Sequence, residues 1–175
     1  EIIDFATLAQ SQMRPEDIAR LYALKFASKN IVDAIKDTKH LQKNLLKYNN
    51  SKNKHIQDEY NGIKLGLVGL LRSIDKISTM EDEADCILLL SKAKIQMQKY
   101  DILSNGTLDN LIRNHLITNE MATSLMNDSS YAYEISKHLV AMSEVVFIAS
   151  LGDMKNIGED MIISDEDINT ILTKG

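Results

Sequence analysis

Between residues 56 and 77 the apolar side chains recur as Ile56, Tyr60, Ile63, Leu67, Leu70, Ile74 and Ile77, in alternating steps of four and three. That spacing lines one stripe of an α-helix; on a strand, where the side-chain period is two, it would scatter across both faces. Little elsewhere argues against long helices. The chain holds a single Pro, at position 15, and seven Gly in 175 residues, whereas strand-rich domains need frequent turn residues. The expected class is all-α.

The remaining segments follow the same logic. Residues 1–13 read as a short amphipathic helix, and "RPED" at 14–17 marks the start of a long one, with Pro15 at the first helical position and acidic residues at the positive end of the dipole. This helix runs to about Tyr48. Its expected core stripe is Leu24, Ser28, Ile31, Ile35, Thr38, Gln42 and Leu45, widened by Leu21, Leu41 and Leu46. "YNNSKN" at 48–53 is a turn, and the second helix spans about 54–78. Ser78 and Glu81 have capping-box spacing and open a third helix, to about Leu103, that buries Cys86, Leu89, Leu90, Ala93, Met97 and Tyr100. "SNGT" at 104–107 precedes a short helix at 108–116, and Thr118 caps a last long helix to about Ser150. The predicted architecture is an elongated antiparallel bundle of about four long helices over residues 1–150. An acidic tail with a short helix fills 151–175.

Gly62, Gly66 and Gly69 run beside the stripe of the second helix. Each mid-helix Gly weakens a helix by about 1 kcal/mol relative to Ala, so the line suggests either a close helix–helix approach or a hinge. Charge is uneven. Residues 1–80 carry 13 Lys and Arg against 9 Asp and Glu, and residues 81–175 carry 7 against 16. A basic half beside an acidic half does not suit general nucleic-acid binding. Apolar runs such as "CILLL" at 86–90 fall far short of the roughly 20 residues that cross a bilayer, so no membrane insertion by this segment is expected. The sequence opens "EIIDFATLAQ" without an initiator Met, as a piece of a longer protein would.

Candidate chemistry centres on "IVDAIKDTKHLQKNL" at 31–45. At about 100° per residue, Asp33, Asp37 and His40 share one face of the first long helix, opposite the expected core stripe. They are either a solvated face moderated by nearby lysines or a surface metal site. In the second reading the carboxylates take a hard cation, and His40 turns the preference towards a divalent or ferric transition metal. Asp128 is the other anomaly. It falls on the apolar stripe of the last helix, Met121, Leu125, Asp128, Ala132, Ile135, Leu139, Met142, Val146 and Ala149, and so requires hydrogen bonds, a charge partner or metal, or access to water at the bundle end; a hydrogen-bonded polar layer is the first expectation. A second polar line, Glu120, Asn127, Tyr131, Glu134 and His138, reads as an interhelical hydrogen-bonding face. Cys86, apolar on one side and acidic on the other, is a poor nucleophile, and no residue pattern points to catalysis.

Two stretches, "AIKDTKHLQKNL" at 34–45 and "ITNEMATSLMNDSSYAYEISKHLVAMSEVVF" at 117–147, resemble the cytoplasmic C-terminal region of bacterial sodium/phosphate cotransporters, which is similar to PhoU, the helical regulator of phosphate uptake. The resemblance covers roughly residues 20–150. It implies a PhoU-like bundle on the cytoplasmic side of the inner membrane, joined to a membrane transporter domain of the same parent chain. A second copy is a further conceivable partner. It also implies metal binding at outer-face E/D-x-x-x-D motifs, a form that Asp33 and Asp37 match. A second such motif is lacking: Glu81 and Asp85 have the spacing but sit at a helix start. The expected function is therefore a regulatory domain of a sodium-dependent phosphate transporter, with a freestanding metal-binding helical bundle as the alternative. A generic interaction scaffold is the plainest third reading.

Overall fold

A computed structural model describes residues 13–99 and 101–148, and these are all-α, with no strand among them. The helices are α1 (Pro15–Asn49), α2 (Lys54–Ile77), α3 (Glu83–Lys99), α4 (Thr107–Arg113) and α5 (Asn119–Ser143), and α5 continues into one π-helical turn, Glu144–Ile148. Residues 1–12 of the proposed first helix, the stripe member Tyr100 and the tail at 151–175 lie outside the described residues.

Local chemistry sets several boundaries. Asn53 caps α2 by accepting from the Ile56 N–H, and its amide also donates to the Leu116 carbonyl, so one side chain ties a helix start to a distant loop. Thr118 caps α5 through the Met121 N–H, as its position in the sequence suggests. The start of α3 differs from expectation. The Ser78 hydroxyl is turned back to the Asp75 carbonyl, and Asp82 accepts from the Asp85 N–H instead. Asp82 is the better cap because it directly precedes the first helical residue and carries a charge that suits the dipole. The same competition ends α3 early: the Asp101 carboxylate accepts from the Leu103 N–H, an Asx turn that withdraws the backbone from the helix.

Helix α1 packs chiefly along α5, while α2 lies against α3 and α5. Contacts between α1 and α5 pair Tyr48 with Ser124, His40 with Tyr131 and Asn30 with His138, so the two run antiparallel. The buried side chains form two clusters. One gathers Leu41, Tyr48, Ile56, Tyr60, Ile63, Leu111, Leu125 and Ile135; the other gathers Leu70, Ile74, Ile77, Cys86, Leu90, Val140 and Ile148. Partly buried Leu139 joins them. Six of the seven residues of the α2 stripe are buried, and Leu67 packs against the first cluster. Each fully buried aliphatic side chain contributes about 1.5–3 kcal/mol.

The glycine line does not mark a close approach along its whole length. Gly69 is exposed, and a Cβ there would meet open space. Gly66 instead lines a shallow cleft among Ile63, Met97, Ser129 and Ser136, with room for one or two waters.

Candidate functional site

The face that α1 turns to α5 is the main correction to the sequence reading. Leu24, Ile31 and Ile35, expected in the core, are 51%, 41% and 63% exposed. The packed face is Ala27, Asn30, Ala34, Leu41 and Tyr48. Two alanines and an asparagine are a weak hydrophobic signal, but small side chains let a neighbouring helix come close and the polar ones find partners across the seam. Leu41 and Leu45 of the expected stripe do pack inside, so summed hydrophobicity misplaced the stripe in part rather than throughout.

With α1 rotated in this way, the candidate residues no longer point directly away from the core. Asp33 and Asp37 sit at the edge of the seam, their side chains 24% and 22% exposed. The Asp33 carboxylate takes Lys36 at 3.0 Å on one oxygen and Lys29 at 3.2 Å on the other, and these lysines hold its pKa below the usual carboxylate value. Asp37 faces the His138 ring, with Oδ2 3.9 Å from Nε2. His40 stacks on Tyr131, ring centres 5.1 Å apart. The three are close along the helix, yet each is engaged with a different neighbour. Among the described residues no three His, Cys, Asp or Glu side chains converge as a metal-holding group.

His138 is the residue that the sequence reading undervalued. The Asn30 amide donates to the Phe26 carbonyl, which leaves its Oδ1 facing His138 Nδ1 at 2.8 Å. In that pairing Nδ1 is the donor, and Nε2 is the ring nitrogen that faces Asp37. The rest of the second polar line divides. Glu120 pairs with Lys47 across the seam at 2.8 Å, and Tyr131 stacks on His40. Glu134 pairs with Lys137 on its own helix, and Asn127 is exposed.

Asp128 is 1% exposed and is satisfied entirely from other helices. The Tyr60 hydroxyl of α2 donates to its Oδ2, and the Asn44 side chain of α1 also hydrogen-bonds to it. Tyr60 in turn lies against Tyr48, ring centres 4.9 Å apart, and the Tyr48 hydroxyl donates to Ser124 at 3.3 Å. Burial pushes the Asp128 carboxyl above its usual pKa, against the two hydrogen bonds that favour the ionised form. Burial and the neighbouring carboxylate push the Tyr60 phenol up as well, so it remains a donor. This is the hydrogen-bonded polar layer expected for Asp128. Its partners were missed because Tyr60 reads as an ordinary apolar-stripe residue; the signal available was that a buried tyrosine hydroxyl needs an acceptor.

Cys86 is fully buried, and burial with Asp82 and Asp85 nearby raises its thiol pKa, so it lacks the features of a reactive cysteine. No helix among the described residues is long and apolar enough to cross a membrane. No protein-family model, curated protein or solved structure matches the chain.

Proposed function

We propose that this chain is a PhoU-like regulatory domain of a bacterial sodium-dependent phosphate transporter, an antiparallel bundle on the cytoplasmic face of the inner membrane that acts by docking. The observation that carries the reading is a coincidence of sequence and packing. The two stretches that resemble the cotransporter region, 34–45 and 117–147, are far apart in the chain, yet they belong to α1 and α5, which pack along each other. The exposed outer side of α1, with Leu24, Ile31, Val32 and Ile35, supplies an apolar face for docking. The occupant of that face in the working protein is the transporter domain of the parent chain, or a second copy.

A divalent or ferric ion at Asp33, Asp37 and His40 is a secondary part of the proposal. It requires Asp33 to release Lys29 and Lys36 and His40 to leave Tyr131. The alternative of a freestanding metal-binding bundle draws on the same residues and gains nothing further from the seam.

The test is transport. The gene that carries this sequence is expressed in bacteria stripped of their own phosphate uptake systems, and phosphate entry is measured with and without a sodium gradient. Sodium-dependent uptake is expected. Uptake indistinguishable from the empty strain would defeat the reading.

A further inference from the structure

The outward strip of α1 is regular, and the fold leaves most of it without a neighbour. Leu24, Ser28, Ile31, Ile35, Thr38 and Gln42 alternate steps of four and three, and all six are exposed. This is the a/d spacing of a coiled-coil seam, narrower than the face a helix buries in a globular core. At a rise of about 1.5 Å per residue the strip runs for about 27 Å, or about five turns.

Its two flanks differ in character. On one side lie Ala27, Ala34 and Leu41, packed within the bundle. On the other, about 40–120° round the helix from Ile35, stand Lys25, Lys29, Lys36, Lys39 and Lys43. Lys29 and Lys36 reach back to Asp33, and Lys25 lies over the Tyr22 ring. Exposed Lys39 and Lys43 have no acidic partner among the described residues. The aspartates of this stretch, Asp33 and Asp37, sit further round, at the seam with α5. An apolar seam with one cationic edge is complementary to a helix whose own edge is anionic.

A second copy fits less well. Laid antiparallel, with Ile31 on Ile35 of the other copy, α1 brings Lys25 close to Lys39 of that copy; laid parallel, it sets each lysine near its own counterpart. An anionic bilayer also fits less well, because Ser28, Thr38 and Gln42 interrupt the strip, whereas a helix lying in a membrane surface carries a broad apolar face. Between paired helices such polar seam residues fix the register, at a cost in stability.

We infer that residues 24–42 dock one amphipathic helix of the transporter domain, with apolar residues at heptad spacing on Leu24, Ile31 and Ile35 and a row of Asp or Glu against Lys39 and Lys43. The origin of that helix rests on the proposed function; its chemistry rests on the strip alone. The two fail separately. Absence of sodium-driven uptake defeats the transporter assignment, and the experiment below contains no transporter.

A synthetic peptide as long as the strip, with Leu at a and d and Glu at e and g, is titrated into the isotope-labelled full chain and followed by NMR. Shifts should concentrate on the amides of residues 24–42, and the affinity should fall as salt is raised. The same peptide with Lys in place of Glu should bind about tenfold more weakly. In Lys39→Glu/Lys43→Glu, changed only at exposed positions, the two peptides should bind alike. Binding of neither peptide, equal binding of both to the parent chain, or a preference that survives the charge reversal would overturn the inference. So would strip signals that move with protein concentration alone, which would assign the face to a second copy. Loss of the same signals on phosphatidylglycerol vesicles, with no response to the acidic peptide, would assign it to lipid and overturn the inference as well.

Discussion

Removing the Tyr60 hydroxyl isolates the interaction that holds the centre of the bundle. Tyr60→Phe leaves the ring against Tyr48 and deletes only the donor to the buried Asp128 carboxylate. A hydrogen bond to a charged group is worth about 1.5–3 kcal/mol, and the carboxylate left with Asn44 alone remains desolvated, so a loss of about 2–3 kcal/mol is expected at pH 7. Urea unfolding followed by circular dichroism measures it as a lower midpoint with an unchanged slope. In an Asp128→Asn background the bond is neutral, and the same substitution should then cost about 1 kcal/mol, leaving a coupling of about 1–2 kcal/mol in the cycle. The pH dependence has a fixed sign. Burial raises the folded-state pKa of Asp128 above its ordinary 3.8, so the folded protein holds that proton more tightly than the unfolded chain. The ionised group therefore weakens the fold at neutral pH, and the burden lifts as pH falls through the raised value towards 3.8. Loss of the Tyr60 donor, which favours ionisation, raises that value further. The Tyr60→Phe penalty should accordingly be largest near neutrality and shrink on acidification. Additive penalties in the cycle, or a penalty that grows in acid, would refute the reasoning.

Other outcomes follow from single residues. Gly69→Ala should stabilise the protein by about 0.5–1 kcal/mol, because the site is exposed, helical and open around the added methyl; a lowered melting temperature would show that the glycine serves a contact. Asn53→Ala should destabilise by about 1–2 kcal/mol in a urea titration, through the lost cap of α2 and the lost bond to Leu116. His138→Ala should cost about 1–2 kcal/mol and shift the Asn30 side-chain amide signal in NMR spectra, since it removes the donor to Asn30 Oδ1 from a part-buried seam. Elemental analysis of the purified chain tests the secondary, metal-binding part of the proposal: one equivalent that is lost in Asp33→Ala/Asp37→Ala is its expected result, and less than one ion per parent molecule would leave Asp33 paired with Lys29 and Lys36 alone.

The helix class was legible wherever apolar residues alone cover one side of a helix. The α2 stripe was read correctly because its seven members are large and apolar and outnumber the exposed Leu65, Val68 and Leu71 on its other faces. The Thr118 cap was equally visible, since a capping side chain acts within its own turn. Helix α1 was misread because it has two candidate faces. Of the expected stripe, Leu24, Ile31, Ile35 and Leu46 are exposed while Leu41 and Leu45 pack inside, and the rest of the packed face is Ala27, Asn30, Ala34 and Tyr48. Which face is inside depends on how closely α5 approaches and on partners such as His138, and neither is encoded within α1. Asp128 could be recognised as an anomaly from its own helix alone, but Tyr60 and Asn44 reach it from two others, so its solution required the tertiary arrangement. The candidate trio Asp33, Asp37 and His40 shows the same limit: the spacing was right, and the neighbours Lys29, Lys36, His138 and Tyr131 decide what each does.

Regulation by docking is the central claim, and the outer face of α1 offers the most direct test of it. Ile31 and Ile35 are exposed, so Ile31→Asp/Ile35→Asp should leave the circular dichroism spectrum and the urea midpoint near those of the parent chain. Sodium-driven phosphate uptake is then compared at equal protein amount in cells carrying the two forms of the gene. The account predicts a changed uptake rate or a changed response to external phosphate in the variant. Identical uptake at every phosphate level, from an equally abundant and equally folded protein, would contradict it.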